Sequence, residues 1–130
     1  MNEKKIIQIA SNSKFCGLKN NFPLTAIAKN KNCGDIISVE VSKKIDEMRY
    51  ETQSCIFTQA SAAILSKYIK EINKFGFENF LKLIKKKING ENIKLPYDIE
   101  DLNLIVNKIH KNRKECIALP FNAVLKAIND

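Results

Sequence analysis

Three cysteines stand where a thiol can do more than fill a core. Cys33 is followed by Gly34 and Asp35, and an alternating run, Ile37, Val39 and Val41 against Ser38, Glu40 and Ser42, begins at once. That order sets a soft sulfur and a hard carboxylate in a turn ahead of a strand, and glycine leaves the backbone free to aim both at one point. Cys55 precedes "IFTQASAAILSKYI" and Cys116 precedes "IALPFNAVLKAI", both helix-like runs. Unpaired N–H groups and partial positive charge at a helix amino-terminus favour thiolate over thiol, and a thiolate is both nucleophile and metal ligand. A metal or sulfur-transfer site is one outcome of this pattern; three core thiols are the plainer one.

The other candidates carry less chemistry. Cys16 belongs to none of these blocks and reads as a structural or free thiol. His110, the single histidine, lies six residues before Cys116 and reads as a surface or helix-end group, where a cation is favourable, with metal ligation as the alternative. Arg113 is placed to steady Asp35 or a partner's carboxylate, with plain surface exposure as the alternative. No two cysteines have Cys-x-x-Cys spacing, which removes zinc-finger and thioredoxin readings.

The elements that must position these groups follow from periodicity. Period-two alternation over Ile37–Val41 and again at Met48, Tyr50 and Thr52 predicts an antiparallel hairpin turning at Lys43–Asp46. "PLTAIAKNK" supplies a third, edge strand. From Ile56 the period changes, and Phe57, Ala60, Ile64, Tyr68 and Ile72 mark one helix face. Gly76 interrupts before "ENFLKLIKKKI", which Asn89 and Gly90 end as a C-cap. After Pro96, Asp98 is the expected N-cap of a third helix with a stripe of Leu102, Ile105, Val106 and Ile109. The last helix begins near Cys116 and buries Phe121, Val124, Leu125 and Ile128, with Pro120 expected in its first turn. Strands first and helices afterwards predict an α+β fold: a small antiparallel sheet of about three strands with helices packed on one face. The length, 130 residues, suits one domain spanning residues 1–130.

Net charge is +8, but the lysines are scattered, the densest run is Lys85–Lys87, and only Arg49 and Arg113 offer bidentate contacts. A solvated lysine surface is expected, and no nucleic-acid partner. The alternative function is a basic module that binds RNA or an acidic protein and carries incidental cysteines. No apolar run approaches the roughly 18 residues of a membrane span, so no membrane association is expected. The first residues lack the long apolar core of a secretory signal, so the expected compartment is the cytoplasm, where structural disulfides are rare.

"NKNCGDIISVEV", "SCIFTQASAAIL" and "RKECIALPFNAVLKAI" together resemble the three signature blocks of NifU/IscU/SufU-type iron–sulfur cluster assembly scaffolds. The blocks are a Cys-Gly-Asp turn, a cysteine ahead of a small-residue helix, and a late cysteine followed by Leu-Pro-Phe. The 60 residues between Cys55 and Cys116, and Arg113 three residues before Cys116, are similar to the SufU branch. The Isc-type has a shorter interval and a Leu-Pro-Pro-Val-Lys motif.

That resemblance implies a SufE/NifU-like fold and a metal site of Cys33, Asp35, Cys55 and Cys116, holding Zn(II) or, with two irons, a [2Fe–2S] cluster. It also implies persulfide acceptance by Cys33, with Cys116 as the rival, from a SufS-like cysteine desulfurase. Delivery would be to iron–sulfur apoproteins or carriers, by a monomer or weak dimer that acts more as a scaffold or zinc-dependent sulfurtransferase partner than as a stand-alone enzyme. The chain departs from the family pattern at Lys31, where proline is usual, at "TQS" before Cys55, where Gly-x-Gly is usual, and at Glu115, where Suf-type proteins often carry lysine. A carboxylate beside Cys116 raises the thiol's pKa and weakens the hold on an anionic cluster, unless it serves as a ligand itself.

Overall fold

The alternation of the central region does form strands. In the computed structural model, which describes residues 3–12 and 14–129, β1 (Leu24–Asn30), β2 (Asp35–Val41) and β3 (Met48–Gln53) make one antiparallel sheet in the order β1-β2-β3. Register pairs Asn30 with Asp35, Ala28 with Ile37 and Ala26 with Val39, while Ile37 faces Thr52 and Val39 faces Tyr50. Because side chains alternate along a strand, this register gathers Asn30, Asp35, Ile37, Val39, Val41, Met48 and Tyr50 on one face. Five of these seven, Ile37, Val39, Val41, Met48 and Tyr50, belong to the hydrophobic core, and Asp35 is also buried, at the end of the face nearest the β1–β2 turn.

The helices cover that face. α5 (Lys114–Asn129) lies across β1 and β2, and α2 (Ile56–Phe75) packs on α5. α3 (Phe77–Ile88) adds Phe77 and Phe80, whose rings meet Phe121 of α5 with centroids 5.8 and 6.2 Å apart. α3 ends as expected. Gly90 takes φ +100, its N–H bonds the Lys87 carbonyl, and the Glu91 N–H bonds that of Lys86, a Schellman pattern that satisfies the last turn.

Several expectations are corrected. A helix comes first: α1 (Glu3–Ala10) buries Ile6 and Ile9 against α2, so the order is not strands then helices. α4 is short, Glu100–Ile105, and Ile99 rather than Asp98 is its N-cap. The Asp98 carboxylate instead accepts from Asn103 Nδ2 at 3.3 Å. Leu102, Ile105 and Val106 are buried as expected, but the backbone leaves helical geometry at Val106 (φ −86, ψ 78) and resumes as a 3₁₀ segment, Lys108–Arg113. That break rotates the stripe, so Ile109 is 67% exposed and His110 only 4%. His110 is therefore a packed core group against Phe57, at 4.9 Å between centroids, and not a surface one. Burial lowers its pKa, against the rise from its hydrogen bond to the Leu104 backbone.

Pro120 is also displaced from its expected place. α5 starts at Lys114, so the proline is its seventh residue and lies inside the helix. Proline has no N–H, which leaves the carbonyl of Cys116, four residues back, without its helical donor. Two hydroxyls of α2 face this stretch instead: Thr58 Oγ1 lies 2.9 Å from the Cys116 carbonyl, and Ser61 Oγ donates to that of Ile117 at 2.6 Å. Both hydroxyls are fully buried.

Candidate metal centre

Three elements deliver the site. The β1–β2 turn carries Cys33, with Gly34 at φ +73, a conformation costly for a residue with a Cβ; a Cβ there would meet nothing within 4 Å, so the demand is purely conformational. The Gly34 N–H closes the turn on the Asn30 carbonyl at 2.9 Å. β2 begins at Asp35, the start of α2 places Cys55 as N-cap, and the first turn of α5 places Cys116.

Cys33, Asp35 and Cys116 come together: one ligand atom from each lies within 4.8 Å of the others. Cys33 Sγ is 3.6 Å from Cys116 Sγ and 3.6 Å from Asp35 Oδ2. Two thiolates on one zinc, each at about 2.3 Å in tetrahedral geometry, stand about 3.8 Å apart. The pair therefore fits one metal with little movement, and two sulfurs with one carboxylate oxygen suit Zn(II) or an iron–sulfur unit. Cys55 Sγ is outside that group of three. Its backbone N–H donates to Asp35 Oδ1 at 3.3 Å, its sulfur lies 3.8 Å from Thr58 Oγ1, and it is near enough to Cys116 to perturb that thiol.

Exposure separates the thiols: Cys33 is exposed, Cys55 half-buried and Cys116 buried. The helix-start argument for a thiolate fails at Cys116. Burial pushes its pKa up, and hydrogen bonding with Cys33 and Cys55, the charge of Cys55 and Asp35 push it the same way. Asp35 is the opposite case: burial raises its pKa, but bonds from Thr58, Cys116, the Cys55 backbone and Cys33 together hold it below the usual value. A carboxylate kept ionised beside thiols is suited to receive a cation.

Two contributors are absent from the sequence reading. Asn30 Nδ2 donates to Cys33 Sγ at 2.8 Å and reaches Cys116 Sγ at 3.9 Å. Thr58 Oγ1 lies 3.0 Å from Asp35 Oδ2. Their signal was spacing, Asn30 three residues before Cys33 and Thr58 three after Cys55, the latter one helical turn on. Arg113 lies over the Phe57 ring at 5.7 Å, and Glu115 stands exposed in the first turn of α5. Cys16 is exposed and far from this chemistry, bridged to the edge of β3 at Tyr50. Beside Cys55 runs a groove of about 320 Å³ lined by Phe57, Ile109, His110 and Arg113. No helix among the described residues is long and apolar enough to cross a membrane.

The pattern that defines the NifU-like N terminal domain matches residues 1–130. No curated protein sequence matches. Among solved structures the fold is similar to that of a protein from thermophilic Fervidobacterium islandicum AW-1, provisionally assigned as an iron–sulfur cluster assembly scaffold for the SUF system (TM-score 0.78, 20% identity, 96% of this chain and 94% of that one). It is similar too to the N-terminal part of a nitrogen-fixing NifU-like protein from Brucella abortus (TM-score 0.78, 20% identity, 97% and 90%). A hypothetical protein solved at 2.3 Å aligns over 100% of both chains, with TM-score 0.80 and 20% identity.

Proposed function

Because the chain belongs to the NifU-like N-terminal domain family, we propose that it is an iron–sulfur cluster assembly scaffold of the SufU branch, whose metal centre is Cys33, Asp35, Cys55 and Cys116. The observation that carries this is the convergence of Cys33, Asp35 and Cys116 from a turn, a strand and a helix. Cys55, at the start of α2 with its N–H on Asp35, is the fourth donor of the set. Zn(II) or a [2Fe–2S] cluster occupies the centre. The SufU assignment within the family rests on the long interval between Cys55 and Cys116 and on Arg113.

Sulfur arrives as a persulfide from a cysteine desulfurase of the SufS type. Cys33, the exposed thiol of the three, attacks the terminal sulfur: a new S–S bond forms at Cys33, the donor's S–S bond breaks, and the donor cysteine leaves as thiolate. The sulfane sulfur keeps its oxidation level, so no outside oxidant is consumed. Cys116 is buried, which disfavours it as the first acceptor of a sulfur brought by another protein. Assembled clusters pass to iron–sulfur apoproteins or carriers.

The test has two parts. Elemental analysis after aerobic and anaerobic purification identifies the occupant. Ser variants at Cys33, Cys55 and Cys116, each checked for folding and metal, are then treated with desulfurase and free cysteine, and persulfide is mapped by mass spectrometry. Label on Cys33, lost in Cys33→Ser, is expected. Label on Cys116 in the unmodified protein, with Cys33→Ser still accepting sulfur at the normal rate, overturns the assignment.

A further inference from the structure

Thr58 is fully buried, and its hydroxyl oxygen lies 2.9 Å from the Cys116 carbonyl and 3.0 Å from Asp35 Oδ2. Both are acceptors, and a hydroxyl has one proton to give. Pro120 creates the contest. With any other residue at that position the Cys116 carbonyl would accept its own helical N–H and would not need Thr58. Asp35 Oδ2 is also the oxygen that faces Cys33 Sγ, at 3.6 Å, so it is the oxygen a metal on that sulfur would take. Oδ1 is turned to the Cys55 N–H.

We propose that Thr58 is a positioning residue that competes with a bound metal for Asp35, giving its proton to the carboxylate when no metal is held and to the Cys116 carbonyl when one is. The inference rests on the assignment of Cys33, Asp35 and Cys116 as a metal centre. An ionised carboxylate is the stronger acceptor, by roughly twofold in bond strength over a neutral carbonyl. A metal on Oδ2 draws on the same lone pairs, the bond to Thr58 weakens, and the hydroxyl turns to the carbonyl that Pro120 left open. Metal binding therefore exchanges a charge-assisted bond for a neutral one. The exchange keeps the ion more loosely held than the donor set alone would, as suits a centre that must release what it carries.

The sign of this effect separates it from ordinary support. A residue that merely orients a ligand weakens metal binding when removed, commonly by about 10–100-fold. Removing the Thr58 hydroxyl takes the stronger bond from the metal-free form and the weaker one from the metal-bound form, so binding tightens, by about fivefold on typical bond strengths. The zinc dissociation constant is measured by competition with a chromophoric chelator for the unmodified protein, Thr58→Val and Thr58→Ser. Expected are tighter binding in Thr58→Val and an unchanged constant in Thr58→Ser, which keeps the hydroxyl. Equal or weaker binding by folded Thr58→Val overturns the proposal. Should Thr58→Val fail to fold by circular dichroism, Pro120→Ala decides: it returns a helical N–H to the Cys116 carbonyl and leaves Thr58 on Asp35, so zinc binding weakens, again about fivefold. Unchanged or tighter binding there overturns the proposal. An unmodified protein that binds no zinc at all sinks the metal centre itself, whereas a zinc-binding protein with unshifted variants sinks only the role of Thr58.

Discussion

One amide governs the environment of the exposed thiol. Asn30 donates to Cys33 Sγ and points also at Cys116 Sγ, so it orients both sulfurs of the centre. Asn30→Ala removes that donor. Zinc binding should weaken by about 10–100-fold, the usual cost of losing a group that orients a ligand; competition with a chromophoric chelator gives the constant, and an unchanged one removes Asn30 from the site. At this scale the sequence was legible in part. Cys33, Asp35, Cys55 and Cys116 stood out because sulfur and carboxylate at chain junctions are chemically conspicuous. Asn30 and Thr58 did not, because an amide and a hydroxyl acquire their roles only through the Asn30–Asp35 register and the carbonyl freed by Pro120. The upward shift of the Cys116 thiol was illegible for a related reason: position at a helix start is visible in a sequence, and burial among two thiols and a carboxylate is not.

Among the elements, the segment before β1 has an unusual anchor. Glu40 is on the solvent side of β2 by alternation, yet it is 2% exposed, because its carboxylate accepts the backbone N–H groups of Lys19, Asn20, Asn21 and Phe22. Arg49 on β3 adds bonds to the Gly17 and Cys16 carbonyls at 2.6 and 2.9 Å. Burial alone would raise the Glu40 pKa, but the four N–H bonds outweigh it and the net shift is downward from 4.5. The folded state therefore binds this proton less readily than the unfolded chain. Its stabilisation is complete above the unfolded pKa and disappears as pH falls through the lower, folded one. Glu40→Gln turns an amide N–H₂ toward two of these donors and should cost about 2 kcal/mol at neutral pH, with a shallower loss of stability on acidification. Urea melts at several pH values check both, and an unchanged slope below about pH 4.5 would show that another group dominates acid unfolding. The three strands were readable because period-two alternation with one buried face is a strong signal. α1 was not, as eight residues with two buried isoleucines scarcely establish a period. The 3₁₀ segment escaped because the backbone breaks at Val106 before it begins, and that break moved Ile109 out and His110 in.

For the whole molecule, the site depends on the complete fold, since its donors come from the β1–β2 turn and from α5, with Cys55 at the start of α2 between them in sequence. Metal that binds only the folded form adds to stability by mass action, about 4 kcal/mol at a thousandfold excess over the dissociation constant. Zinc should therefore raise the midpoint of thermal unfolding by roughly 10–15 °C, and chelator should return it to the metal-free value. Scanning calorimetry with and without chelator tests this, and Cys116→Ser should show no zinc-dependent rise. Cys33 and Cys116 are 83 residues apart along the chain while their sulfurs are 3.6 Å apart. A metal that joins them closes residues 33–116 into a ring, with α1 and β1 before the closure and the remainder of α5 after it. An ATP-driven unfoldase that threads a protein from its end travels freely along a linear chain, but at such a closure it must drag two strands through its pore at once or strip the ion first. The loaded protein should thus survive in a cell where the empty one is consumed, and the lifetime of the polypeptide would record whether its cargo has been delivered.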